Sequence, residues 1–76
     1  MNSFPSREIV ESIRKQYPKG TRVKLLHMND TYSKLQYGDL GTVISVDDIG
    51  TIHVSWDKGG SLGVAFGEDL CEKIEL

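Results

Sequence analysis

Two histidines, His27 and His53, and one cysteine, Cys71, are the side chains of this 76-residue chain best suited to proton transfer, nucleophilic attack or soft-metal ligation near neutral pH. A metal site needs three or four such groups at short, recurring spacings. The histidines instead fall on separate predicted strands, and neither has another histidine or a cysteine at ligand spacing. Cys71 lies between Leu70 and Glu72, with Lys73 as its only basic neighbour, so nothing local favours a thiolate. Asp47 and Asp48 are adjacent carboxylates of the kind used in acid–base catalysis, but in a turn such residues ordinarily cap backbone amides. Asp30, Asp47, Asp48 and Asp57 do not follow a calcium-loop pattern. None of the eight glycines opens a helix in a phosphate-cradling motif. The expectation is a non-enzyme with no cofactor and no metal.

The run from Gly41 to Leu62 places β-branched and aromatic residues around two Gly/Asp turns, Asp47–Gly50 and Asp57–Gly60, which is how a tight antiparallel meander is written. In residues 51–56, Ile52, Val54 and Trp56 share one face while Thr51, His53 and Ser55 take the other. That pattern predicts burial of Trp56 and removes the central residue of an aromatic peptide groove. Residues 42–47 break alternation, because Val43 and Val46 both read as core. A bulge near Ile44 or Ser45 restores them to one face. From Thr21 to about Met28, Val23 and Leu25 point inward and Arg22 and Lys24 outward. Leu62 and Val64 form a fourth inner face, Gly67–Leu70 reads as a helical turn, and Ile74 and Leu76 complete a fifth strand. Ahead of these, Ser3 or Ser6 caps a helix whose apolar stripe is Ile9, Ile13 and Tyr17, with Val10 beside it, stopped by Pro18 and Gly20. The fold class is therefore mainly β: a small five-stranded SH3-like antiparallel barrel over residues 19–76, with a helix in residues 1–18 laid across one open end.

Charge is unevenly placed. Residues 1–28 carry six basic against two acidic side chains, and residues 29–76 carry three against nine. The N-terminal region has no charged-then-apolar signal pattern, the apolar runs are too short to span a bilayer, and the lone cysteine suits a reducing compartment, so a cytoplasmic location is expected.

The string Tyr17-Pro18-Lys19-Gly20-Thr21-Arg22-Val23, Met28-Asn29-Asp30, Gly41-Thr42-Val43, Val46-Asp47-Asp48, Gly50, Ile52-His53-Val54, Trp56-Asp57, Gly59, Leu62 and Gly67-Glu68-Asp69 resembles the bacterial family called domain of unknown function four-three-one-four. The resemblance covers residues 17–76. It implies an SH3-like barrel carried by bacteria, phages, plasmids and conjugative elements, and it brings no reaction or catalytic residues. The chain departs from the family in the long loop from Asn29 to Gly38, where Thr31 replaces an expected proline and the prolines usual before Gly38 are missing, implying a looser loop.

Three functions are compatible with these residues. The leading one is a non-enzymatic module that docks a protein partner through Tyr32 and Tyr37 of the long loop, His53 and a sheet edge; either tyrosine alternatively packs on the barrel rim. The second is nucleic-acid binding through Arg14, Lys15, Lys19, Arg22 and Lys24, for which solvated faces of a helix and a strand are the plainer account. The third is an inhibitor of a nucleic-acid-handling enzyme whose acidic face, Asp47, Asp48, Asp57, Glu68 and Asp69, imitates phosphates.

Overall fold

The computed structural model describes residues 4–30 and 32–74; Ser3, Thr31 and Leu76, on which expectations above fall, lie outside them. Helix α1 (Arg7–Gln16) is followed by strands β1 (Arg22–His27), β2 (Leu40–Val46), β3 (Ile52–Trp56), β4 (Ser61–Val64) and β5 (Leu70–Lys73). All strand pairs are antiparallel, and the single sheet runs β4-β3-β2-β1-β5. Among the described residues no ladder joins β4 to β5. Side chains bridge that seam instead: the Asp69 carboxylate accepts the amides of Asn29, beyond β1, and Ala65, beyond β4, at 2.8 and 2.9 Å.

Alternation builds the core as the residue types require. Val23, Leu25, Val43 and Val54 are essentially inaccessible, with Ile52, Trp56 and Val64 closing around them. The register of β2 on β3 shifts between Val43 and Ser45, so Ile44 is the bulged residue, and Val46 returns to pack against the core. Gly41 is required by proximity, since a Cβ there would lie 2.5 Å from Val54 Cγ1 and 2.8 Å from Trp56 Cε3. Gly50 has φ +83° in the β2–β3 turn, a conformation that side chains disfavour.

Two inward assignments change. Ser6 caps α1 by accepting the Ile9 amide, but the helix buries Val10 and half-buries Ile13, with Tyr17 half-buried at its C-cap, while Ile9 stays exposed. Spacings of three and four residues are both helical, so the apolar pattern leaves the rotation of the helix open. The contacts of Arg14 with Val46 and Asp48 show the rotation adopted. In β5 the inward residue is Cys71, and Ile74 lies beyond the strand. The single helical turn expected over Gly67–Leu70 forms slightly earlier, over residues 65–69, where Glu68 N and Asp69 N both reach Ala65 O, and Leu70 already belongs to β5.

Candidate interaction site

The histidines and the cysteine stay apart. His27 is exposed at the end of β1, whereas His53 sits on β3 with β2 between them. His53 Nε2 lies 2.9 Å from Asp47 Oδ2, and Asp47 Oδ1 accepts the amides of Ile49 and Thr51 at 3.1 and 2.9 Å. Desolvation raises the Asp47 pKa, but the hydrogen bonds from His53, Thr51 and Ile49 together outweigh it and hold the carboxylate below its ordinary range. This constellation closes a turn. Asp48 accepts no backbone amide among the described residues and instead pairs with Arg14 at 2.7 Å. Burial pushes the Cys71 thiol up to about 11, which keeps it protonated at neutral pH. Among the described residues no group of three or more His, Cys, Asp or Glu side chains is placed to hold a metal ion. No helix there is long and apolar enough to cross a membrane.

The basic residues of the N-terminal third are largely matched. Arg14 meets Asp48, Arg22 forms a two-pronged contact with Asp57 and also donates to Thr42 Oγ1, and Lys24 lies 3.3 Å from Glu72. Only Lys15 and Lys19 of the five lack an ion-pair partner among the described residues. Four of the five acidic residues are engaged, Asp47 with His53, Asp48 with Arg14, Asp57 with Arg22, and Asp69 buried in the seam, while Glu68 is exposed and has no ion-pair partner among the described residues. Of these ten residues, Lys15, Lys19 and Glu68 are left without a partner among the described residues.

Tyr32, Tyr37 and His53 do not converge. Tyr32 is 95% exposed at the loop tip. Tyr37 is also exposed, with the Lys24 ammonium 5.6 Å from its ring centroid. Lys24 pairs with Leu40 and His53 with Ser45, at opposite ends of β2, so roughly 13 Å of strand separates the two levels.

A cleft of about 360 Å³ lies between residues 33–35 of the long loop, directly after Tyr32 in the chain, and the β3–β4 hairpin. Leu35, Trp56 and Leu62 supply its apolar surface. Trp56 is 3% exposed, and its indole Nε1 donates to Leu62 O at 3.0 Å, so it is core structure that also underlies the cleft. Local polar side chains shape the loop wall. Asp30 accepts the Tyr32 amide, Ser33 Oγ that of Leu35, and Asp39 that of Gln36. Lys58 joins the walls, its ammonium 3.1 Å from Lys34 O and 2.9 Å from Asp39 Oδ2. The carboxylate of Asp39 is held below its ordinary range by the Gln36 amide first and by Lys58 second. The Lys34 ammonium, on the rim, is exposed and has no acidic partner among the described residues.

Sequence reading identified the loop but not the cleft. The loop's polar residues were a visible signal of its turns, whereas the pairing of Lys58 with Asp39 has no local signature. Neither a curated protein nor a solved structure matches the chain. A family model described as Domain of unknown function (DUF4314) matches residues 6–74, nearly the whole length, and the chain belongs to that family.

Proposed function

We propose that this protein is a non-enzymatic interaction module, built on an SH3-like barrel, that holds a segment of a protein partner in the cleft between the long loop and the β3–β4 hairpin. The sheet order and the Asp69 bridge across the β4–β5 seam support the barrel reading. The cleft itself carries the functional reading: two elements distant in sequence are tied by Lys58 around an apolar base, leaving an unpaired lysine on the rim, with the exposed Tyr32 two residues before it in the chain. The matched charges weigh against nucleic-acid binding and phosphate mimicry. The protonated Cys71 and the turn-bound Asp47 weigh against catalysis. A bacterial or mobile-element cytoplasm, where a lone thiol persists, fits this role.

Affinity capture on immobilised protein tests the reading. Lys34→Glu with Tyr32→Ala alters the cleft rim and the exposed residue that precedes its loop wall without touching the core, and a specifically captured partner is lost. Tyr37→Ala with Lys24→Ala, neither of which lines the cleft, leaves capture unchanged. The reverse pattern would move the site away from the cleft.

A further inference from the structure

The two outer strands of the sheet differ in how they meet solvent. The β5 edge carries Glu72 and Lys73, charges of the kind that discourage another strand from adding. From Gly59 to Gly67 the chain has no Asp, Glu, Lys or Arg, its longest stretch without one, and β4 lies inside that stretch. Ladder alternation sets which backbone groups are free. Trp56 N donates to Gly60 O, so the pairs Val54–Leu62 and Ile52–Val64 are the hydrogen-bonded ones, and the amides of Ser61 and Gly63 turn to the open edge. Among the described residues nothing pairs with that edge. Ser61 and Leu62 also line the cleft, so the open strand and the apolar base belong to one surface.

We infer that β4 receives an extended peptide as an added strand, with an apolar side chain entering the cleft over Leu35 and Leu62 and a neighbouring carboxylate meeting Lys34. This rests on the interaction-module reading above and names its ligand. Charge favours a carboxylate: Asp39 is committed to Lys58 and Asp57 to Arg22, which leaves the Lys34 ammonium unmatched at the rim of an otherwise acidic half of the chain. Backbone bonds to Ser61 and Gly63 supply affinity independent of side chains, and the cleft and Lys34 supply selection.

The probe is a soluble peptide of about ten residues alternating valine and glutamate, compared with a valine–lysine counterpart and a proline-rich one of equal length. Each is titrated to about 1 mM against the full chain and followed by amide chemical shifts and hydrogen exchange. The acidic probe saturates and slows exchange at Ser61 and Gly63. Ser61→Pro removes an outward donor while sparing the ladder to β3, and weakens binding about fivefold to tenfold. Lys34→Glu abolishes the preference for glutamate over lysine, and amide dispersion reports whether both variants remain folded. Binding that perturbs Leu35 and Trp56 but leaves the Ser61 and Gly63 amides unprotected overturns strand addition while the interaction reading stands. Preference for the proline-rich probe does the same. Silence of all cleft residues toward all three probes overturns both. Edge protection already present in the free protein and lost on dilution assigns β4 to a second copy of this chain instead.

Discussion

The two turns that flank β3 differ in what side chains add to them. At the β2–β3 turn, backbone bonds and the positive-φ Gly50 are reinforced by side chains: Asp47 holds two amides and His53, while Arg14 reaches down from α1 to Val46 O and Asp48. At the β3–β4 turn, consecutive positive-φ glycines, Gly59 and Gly60, reverse the chain and backbone bonds close it, with Lys58 extending outward to the long loop. One turn is locked to the helix and leaves little polar capacity unused. The other leaves a cleft and an open strand beside it, which is why the proposed recognition is placed at that end.

Replacing Trp56 with alanine gives the largest effect, because it empties the core beneath the cleft. A loss of about 3–5 kcal/mol is expected. A chain of this size has about 4–11 kcal/mol in total, so urea unfolding followed by circular dichroism should find the variant close to its transition before denaturant is added. Asp69→Ala comes next, since it leaves the Asn29 and Ala65 amides without their acceptor across the seam; about 2–3 kcal/mol is expected from the same measurement. If the seam were held by apolar packing alone, that variant would match the wild type.

Asp47→Ala loosens the locked turn by about 1–2 kcal/mol. Its pH dependence is a sharper test. The folded-state pKa of Asp47 is depressed, so its contribution is fully present above the ordinary value near 3.8 and is lost as pH falls through the lower folded value. Asp39 and Asp57 are depressed as well, and the quantity to follow is therefore the stability difference between wild type and variant, which narrows on acidification. A difference that stays constant down to the acid transition would remove the carboxylate from the account. Tyr32→Ala and Lys34→Glu, at the open end, should change stability by no more than about 0.5 kcal/mol while changing partner capture. A clear loss of stability there would mean that the cleft entrance serves the fold.

Much of the fold was legible because strand alternation is a local code. The inward faces of β1 and β3, the bulge at Ile44 and the positive-φ Gly50 each follow from residues within a few positions of one another. The candidate site was legible only as a long loop bearing two tyrosines. Its other wall, the hairpin, was recognised as a turn and not as a partner of that loop, since Lys34 and Lys58 are twenty-four residues apart.

Residue pattern settled which elements form and which face of each strand is apolar, because these depend on neighbours one to four positions away. Three-dimensional packing settled the rotation of α1 onto Val10, the conversion of separate basic and acidic segments into matched pairs, the burial of Asp69 and the cleft beside an uncharged β4. Each of those depends on groups brought together across twenty or more residues, and no pattern confined to one segment specifies its partner.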